Sequence, residues 1–334
     1  GTLELADGAA AVGAILFVDS GGVLQIDDTT MPAATISGFT SDDTIDLRGV
    51  GGGDAGSATL DNGNVLTVHE GGVDYALQLD PAEDFTGDSF LVLDDNFGGT
   101  RVLVVESGII VIGPGETVVV SGGQVVGNLD VFGTLVVGSG GIVLAADVES
   151  GGTETVAAGG LDISGTVESG GSQDVFGTVS ATILIAGGRQ TIEVGGIADG
   201  VVLDDAAVQD VFGFAGATIV SASDMQVVEA GGVASGTTIS RGGVETVLSG
   251  GLTRDTVVDG GALDLQEGSE AAGTIAFAAI GSVLRIDGAT MPTATITGFE
   301  RGDVIDLADL SPGSGSTVTF DAATGILTIS GSTV

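Results

Sequence analysis

Short runs of valine, isoleucine and threonine alternate with polar residues through the middle of the chain. Examples are the segments Glu154–Val156, Glu245–Leu248 and Asp255–Val258. Alternation with a period of two is typical of β-strands that bury one face against a core. The pattern therefore predicts an all-β fold built from many short strands.

Paired glycines separate these runs at a nearly constant spacing. The step from Gly151-Gly152 to Gly170-Gly171 is nineteen positions, and the step from Gly242-Gly243 to Gly260-Gly261 is eighteen. Glycine tolerates the positive φ that a tight corner requires. A period of about 18–19 residues with two glycine corners predicts a β-solenoid, each coil of which runs strand, loop, strand, loop. The other pairs lie at Gly122-Gly123, Gly140-Gly141, Gly159-Gly160, Gly187-Gly188, Gly195-Gly196, Gly231-Gly232 and Gly250-Gly251.

Longer sequence motifs also repeat in the same region. Gln-Asp-Val-Phe-Gly occurs at 173–177 and again at 209–213, a step of thirty-six positions that we interpret as two coils of eighteen. The phenylalanines Phe132, Phe176 and Phe212 are interpreted as a core ladder rather than as a ligand-stacking stripe. Residues 107–260 hold about eight coils, which at about 4.8 Å per strand would form a rod of about 40 Å.

A second, longer repeat lies on either side of the glycine-pair region. Shifted by 260 positions, residues 1–47 align without a gap on residues 261–307, and 25 of the 47 are identical. The first copy continues through further strand-like runs, whereas the second reaches Val334, near the equivalent of position 73. We therefore divide the chain into a β-rich module (1–106), the glycine-pair solenoid (107–260) and a partial second copy of the module (261–334). Two explanations stay open: the chain is a fragment of a longer array, or its missing strands are supplied by the next chain.

The charge of the chain excludes several classes of partner. Its 334 residues include 46 acidic side chains against 7 arginines and no lysine, for a formal net charge of −39. Such a surface repels nucleic acid and anionic membranes and attracts divalent cations. Because cysteine is absent, disulfides and thiolate metal sites are excluded. No apolar run is long enough to insert into a membrane, so we expect any export signal to lie outside these residues.

The glycine-pair coils resemble the strand-loop-strand repeats of AIDA-type autotransporter passengers, whose glycine pairs and Thr-Val strands match Gly151–Gly171 and Gly231–Gly261. The resemblance implies a right-handed β-solenoid (β-helix) on a bacterial surface, acting in adhesion, self-association or biofilm, with heptose on serine and threonine in some members. The flanking modules are similar to units of large proteobacterial secreted repeat proteins. Their Gly-Phe-x-x-x-Asp-x-Ile-Asp-Leu stretch is similar to the end of calcium-binding RTX segments, but the nine-residue calcium repeat is absent.

Aspartate clusters are the candidate cation sites. A turn with two or three carboxylates could supply part of a calcium shell, and the competing interpretation is that aspartate in a turn accepts local backbone hydrogen bonds. The arginines are scattered, and His69 is predicted to be an exposed strand residue without a nucleophile motif. No catalytic, cofactor-binding or metal-binding residue is assigned. The clusters are Asp27-Asp28, Asp42-Asp43-Asp46, Asp94-Asp95, Asp204-Asp205 and Asp303-Asp306, and the arginines are Arg48, Arg101, Arg189, Arg241, Arg254, Arg285 and Arg301.

Together these features predict a non-enzymatic, extracellular structural or adhesive protein of a Gram-negative cell surface. Its expected partners are other copies of itself, joined end to end, with surface glycans and divalent cations as further partners. The alternative is a carbohydrate-binding or polysaccharide-cleaving β-helix. No cofactor is expected, apart from a role for calcium at the aspartates.

Overall fold

The computed structural model describes residues 1–18, 21–51, 57–95, 97–105, 109–122 and 124–333, and within them it contains strands and turns but no helix. Most strands pair in parallel with the equivalent strand one coil earlier and one coil later. The predicted all-β solenoid is therefore confirmed. Gly123 and the predicted boundary at 106 and 107 lie outside the described residues.

The first part of the chain starts with coils that are longer than those of the glycine-pair region. β1, β3 and β5 stack in parallel, with Thr2 opposite Val23 and Val23 opposite Thr44. The later strands add antiparallel pairs, which gives the sheet orders β1-β3-β5-β10-β9 and β2-β4-β8-β7-β6. The strands are β1 (Thr2–Leu5), β2 (Ala14–Leu16), β3 (Val23–Ile26), β4 (Thr35–Ser37), β5 (Thr44–Leu47), β6 (Ser57–Asp61), β7 (Val65–Glu70), β8 (Val73–Leu79), β9 (Ser89–Asp94) and β10 (Thr100–Val105).

The glycine-pair region contributes to two long parallel sheets of 11 and 16 strands. Eight of its strands join the 11-stranded sheet, in agreement with the prediction of about eight coils. The strands of the region are β11 (Ile110–Ile112), β12 (Thr117–Val120), β13 (Val125–Val131), β14 (Thr134–Val137), β15 (Ile142–Val148), β16 (Thr153–Val156), β17 (Leu161–Ile163), β18 (Thr166–Val167), β19 (Ser172–Val175), β20 (Thr178–Ser180), β21 (Ile183–Leu184), β22 (Arg189–Ile192), β23 (Ile197–Asp199), β24 (Val202–Leu203), β25 (Val208–Val211), β26 (Phe214–Gly216), β27 (Ile219–Val220), β28 (Met225–Val228), β29 (Val233–Ser235), β30 (Thr238–Ser240), β31 (Val244–Val247) and β32 (Leu252–Asp259).

The coils differ from the predicted two-strand unit in two respects. Coil lengths are unequal, and from Ser172 onward a shorter step is followed by a longer and again a shorter one, since Ser172 pairs with Arg189, Arg189 with Val208 and Val208 with Met225. The two copies of the Gln-Asp-Val-Phe-Gly motif are therefore separated by one shorter and one longer coil rather than by two equal coils. In addition, most coils give the 16-stranded sheet two short strands separated by two residues, the first of which has a positive φ, as at Ser164 and Ala181.

The two glycines of a pair are required for different reasons. Gly151 has a φ of 85°, a conformation that side chains rarely adopt. Gly152 lies directly against the preceding coil, where a Cβ would overlap the carbonyl oxygen of Val131. The pair thus turns the chain and lets neighbouring coils stack closely.

Stacked valine, leucine and isoleucine side chains fill the solenoid. One continuous buried cluster runs from Ile112 to Ile286 and crosses the predicted boundary at 260, where Val244 pairs with Ala262. Residues 1–105 contain a second core cluster. The module boundaries themselves stay predictions.

The prediction that the three phenylalanines belong to the core is wrong. Phe132 and Phe176 are exposed and Phe212 is half-buried. Strand alternation gives the reason, because Val131 and Val175 point inward and the next residue must point outward. Phe132 also follows the 16-stranded sheet and Phe176 follows the 11-stranded sheet, so the rings lie at different corners.

The last part of the chain extends both long sheets and then forms a hairpin. β33, β35 and β37 continue the 11-stranded sheet in equal steps, from Ala262 to Val283 to Val304. β38 and β39 form a separate two-stranded antiparallel sheet. The strands are β33 (Ala262–Leu265), β34 (Glu270–Ala279), β35 (Val283–Ile286), β36 (Thr295–Thr297), β37 (Val304–Leu307), β38 (Ser311–Asp321) and β39 (Ile326–Thr333).

Candidate functional surfaces

The outer surface of the 16-stranded sheet carries two rows of apolar side chains, which we call the apolar face. In the first row Ile197 pairs with Phe214, Phe214 with Val233 and Val233 with Leu252. Between them, Ala198, Ala215 and Ala234 point inward and are fully buried, which forces the larger side chains outward. The apolar face comprises Leu161, Ile183, Ile197, Val202, Phe214, Ile219, Val233, Leu252 and Val257.

One end of this surface is already covered from within the chain. Leu103 and Val105 of β10 pack on Val125 and Ile142, and all four are buried together. Ile142 pairs with Leu161, the first member of the apolar face. The sheet surface is therefore covered by β10 at this end, and beyond Leu161 it is exposed to solvent. The covered end shows that this surface can bind the apolar side chains of another strand.

The outer surface of the 11-stranded sheet is more polar than the apolar face of the 16-stranded sheet. Its first row begins with hydroxyls, and the Thr153 Oγ1 donates to the Thr134 Oγ1 at 3.2 Å. Further along, Arg189 forms an ion pair with Asp210 at 3.3 Å. Met225, with 38% exposure, is an apolar residue in this row. The two sides of the coils thus differ in chemistry along the same length of solenoid.

A ladder of buried glutamines runs inside the 11-stranded sheet. Each side-chain amide donates to the glutamine one coil earlier: Gln190 to Gln173 at 2.5 Å, Gln209 to Gln190 at 2.7 Å and Gln226 to Gln209 at 2.6 Å. All four glutamines are buried. A polar side chain in a core is tolerated when it is hydrogen-bonded, as here. The alternating steps of 17, 19 and 17 between these glutamines are the sequence signal that the interpretation of equal coils missed.

Buried carboxyl groups occupy both ends of the ladder. Gln173 Nε2 donates to Glu154 Oε2 at 2.7 Å and to Asp162 Oδ2 at 3.0 Å, while Glu245 lies one coil after Gln226. Burial raises the pKa of Asp162 to about 7 and that of Glu245 to about 7. Burial, with Asp162 beside it, raises the pKa of Glu154 well above its usual range. These groups are protonated when the solution is mildly acidic.

The aspartate clusters mostly hold corners together. Asp43 accepts hydrogen bonds from the Gly22 and Thr40 amides, and Asp303 accepts them from the Gly281, Ser282 and Glu300 amides. Hydrogen bonds from the Thr30 and Gly8 amides lower the pKa of Asp28. These contacts agree with the interpretation that aspartate in a turn accepts hydrogen bonds from the backbone. Across the part of the chain that the structure describes, no group of three or more acidic or histidine side chains is arranged to hold a metal ion. The side chain of Asp94 lies outside that part.

His69 lies on strand β7, as predicted, and has two partners that the sequence did not reveal. Its Nδ1 is 2.7 Å from Asp74 Oδ1 and its Nε2 is 3.1 Å from Thr59 Oγ1. The three side chains belong to neighbouring antiparallel strands and lie on an exposed sheet surface. The network orients the imidazole but offers a substrate no enclosed surface.

The arginines do not converge on a cleft. Arg48 pairs with Asp46, Arg189 with Asp210, and Arg285 with both Asp264 and Asp287. In each case the partner is close in sequence or one coil away. These ion pairs offset part of the carboxylate repulsion along the stacked coils.

Comparison with known proteins gives a likeness in structure only. No protein-family model matches the chain, and no curated protein matches it. The crystal structure of a TibC-catalysed, hyper-glycosylated fragment of TibA is similar over 60% of this chain and 96% of that one, with 22% identity and a TM-score of 0.42. A search for membrane-spanning helices among the described residues finds none.

Proposed function

We propose that the chain is a structural and adhesive rod of a bacterial cell surface that associates with other copies of itself through the apolar face. The observation that carries this proposal is the length of that face. Its two rows run from Leu161 to Val257, each interrupted once by a threonine, Thr178 or Thr238. Beyond Leu161, which packs on the β10 contact, no described element covers them. Contiguous exposed apolar surface of this kind marks an interaction site.

The contact between β10 and the sheet supports the choice of partner. Leu103 and Val105 show that side chains of this chain fit the start of the same surface. A second copy would bring a matching set of apolar rows at the same strand spacing of about 4.8 Å. The net charge of −39 opposes such contact between rods at low ionic strength. Association should therefore strengthen with salt or divalent cations.

The test removes two side chains of the apolar face and compares them with two on the other side. We expect the wild-type chain to form oligomers in sedimentation velocity at about 0.15 M salt, and Ile197→Ser with Phe214→Ser to reduce them strongly. The matched control is Val119→Ser with Met225→Ser on the 11-stranded sheet, where Met225 is 38% exposed against 39% for Phe214. Equal behaviour of the two double variants, or a wild-type chain that stays monomeric, contradicts the proposal.

The extracellular location and the absence of enzymatic activity are parts of the same proposal. They rest on the acidic, cysteine-free composition and on a surface whose histidine network is exposed, as are six of the seven arginines. A membrane-impermeant label applied to intact cells that express the full protein tests the location. Labelling only after lysis would contradict it.

A second candidate function, carbohydrate binding, is favoured by the exposed ring of Phe176 at a corner of the solenoid. Aromatic rings at a surface can pack on the apolar face of a sugar ring. If glycans bind there, Phe176→Ala should weaken binding of a neutral oligosaccharide in calorimetry, and Phe132→Ala, which removes a similarly exposed ring at a different corner, should not. Binding that is unchanged by Phe176→Ala removes this candidate.

A further inference from the structure

A middle row of side chains runs between the two apolar rows on the outer surface of the 16-stranded sheet. Each member pairs with the next one coil along, in the order Ser180, Asp199, Gly216, Ser235 and Arg254. Asp199 and Arg254 are both exposed, carry opposite charges and lie three coils apart. The apolar face therefore contains an acidic and a basic side chain at fixed positions in one row.

Neither of these charges is neutralised within the chain. Among the residues that the structure describes, the Asp199 carboxylate and the Arg254 guanidinium have no ion-pair or hydrogen-bond partner. The neighbouring Asp255 is held toward the next coil, where its Oδ1 accepts a hydrogen bond from the Thr274 amide at 3.1 Å. Asp199 Oδ1 leans over Gly216 and occupies the space where a Cβ would lie. Both charges can therefore pair with a group that approaches the face from outside.

The surface is complementary to itself when two copies pack face to face with their rod directions opposed. Each row then lies against the same row of the second copy in reverse order, as in an isologous contact. With the two-fold axis between β26 and β29, Asp199 of each copy lies opposite Arg254 of the other. In the same alignment the apolar rows meet apolar rows, and Phe214 of each copy lies opposite Val233 of the other. One arrangement thus pairs both charges and covers the apolar side chains.

Other arrangements leave the charges opposed or unpaired. In parallel rods related by a two-fold axis along the middle row, Asp199 would face Asp199 and Arg254 would face Arg254. A shift of the antiparallel rods by one coil would place Asp199 opposite Ser235 or Ala272. Facing like charges repel, and a charge that is covered without a partner is costly. The positions of the two charges therefore select both the direction and the register of the partner.

We propose that the apolar face binds a second copy of this chain in the antiparallel orientation, with an Asp199–Arg254 ion pair between the chains at each end of a contact four coils long. This inference rests on the proposed self-association and specifies the orientation and register of the partner. The apolar rows supply the buried area. The two ion pairs select one alignment among those that sliding along similar coils would otherwise allow.

Charge reversal tests the pairing between chains. In sedimentation velocity at about 0.15 M salt, Asp199→Arg alone and Arg254→Asp alone should each weaken association by at least about tenfold, because each creates two like-charge contacts in the dimer. The variant with both changes keeps the net charge of the wild type and should associate like it. Asp199→Arg alone makes the net charge less negative, so general repulsion between acidic rods predicts stronger association for it instead.

The matched control is Asp174→Arg, which makes the same change at an exposed position on the 11-stranded sheet and should not weaken association. An Asp199→Arg chain that associates as well as the wild type overturns the proposal. Failure of the double reversal to restore association overturns it as well.

Distances between spin labels test the orientation independently. Ser150 and Ala222 occupy the same exposed corner position, two residues after Val148 and Val220, which lie four coils apart. Because the chain has no cysteine, each site can be labelled alone as Ser150→Cys or Ala222→Cys. Labels at Ala222, about half a coil from the proposed axis, should be offset by about 5 Å along the rods, and labels at Ser150 by about 40 Å. Equal distances at the two sites, as parallel rods would give, overturn the orientation.

The outcomes separate this inference from the proposed function. If the wild-type chain forms oligomers that Ile197→Ser with Phe214→Ser abolishes, while charge reversal changes nothing, the antiparallel register is wrong and the proposed function stands. A wild-type chain that is monomeric at every concentration removes both.

Discussion

The two residues of a glycine pair can be separated by substitution, because each is constrained by a different physical effect. Gly151 needs a positive φ but has open space where its side chain would be, whereas Gly152 has no space against the Val131 carbonyl. The sequence predicted the corner and the positive φ at it, since paired glycines at fixed spacing indicate tight turns. The lack of space at Gly152 could not be predicted, because it depends on the position of the neighbouring coil.

We therefore expect Gly152→Ala to destabilise the solenoid more than Gly151→Ala. In Gly151→Ala the left-handed backbone conformation costs about 1–2 kcal/mol. The Gly152→Ala variant must push the Val131 carbonyl of the neighbouring coil away and should lose more. Thermal unfolding followed by circular dichroism measures both, and an equal or reversed order would show that coil stacking tolerates a Cβ at the second position.

Glu245 gives the solenoid a dependence on pH that is opposite in sign to that of a carboxylate whose pKa is lowered on folding, such as Asp28. Its pKa rises from 4.5 to about 7 on folding because the carboxyl is buried. The folded state then keeps a proton that the unfolded state releases, so stability falls as pH rises between about 4.5 and 7 and is constant above. At about 1.4 kcal/mol per unit, the loss is on the order of 3 kcal/mol.

The Glu245→Gln variant tests this dependence, since glutamine already fills the same column at four positions. Below pH 4.5 the variant and the wild type should melt at similar temperatures. At alkaline pH, above the pKa of the folded state, the variant should be clearly more stable. The control is Glu267→Gln at an exposed position, which should show no such divergence. A gap between Glu245→Gln and wild type that is constant with pH contradicts the assignment.

At the scale of the element, each coil depends on hydrogen bonds to the next. The sequence predicted alternating strands and their approximate number, because valine and threonine patterns and glycine corners are local signals. It did not predict the third strand segment of each coil, since the bend is made at residues such as Ser164 and Ala181 that carry no turn signal. The sequence analysis found Gln173 and Gln209 only as parts of the repeated Gln-Asp-Val-Phe-Gly motif. It did not predict that both belong to one ladder of buried, hydrogen-bonded glutamines.

Interrupting that ladder should cost more than the loss of one hydrogen bond. In Gln209→Leu, the Gln226 amide loses its acceptor and the Gln190 oxygen loses its donor, and both stay buried. We expect a destabilisation of about 1–3 kcal/mol for each group left unpaired. Asn substitution at the exposed Asp199 is the control. Chemical denaturation measures the difference, and a Gln209→Leu variant as stable as the wild type would show that the ladder adds nothing to stability.

At the scale of the whole molecule, the chain is a row of coils with two chemically different sides. The 11 strands of the first long sheet, at about 4.8 Å each, give it a length of about 50 Å from β12 to β37. The long repeat that relates 1–47 to 261–307 was visible in the sequence, whereas the β38–β39 hairpin was not predicted. The apolar face was not, because an outward isoleucine and an inward one look alike until the phase of each strand is known.

Electron microscopy of the chain across a concentration series tests most directly whether these rods associate. The apolar face along the side of the solenoid predicts rods that lie side by side as concentration rises in about 0.15 M salt. The Ile197→Ser and Phe214→Ser double variant should lose the side-by-side contacts. Single, separate rods of the wild-type chain at every concentration would contradict the central claim that this solenoid is built to associate with itself.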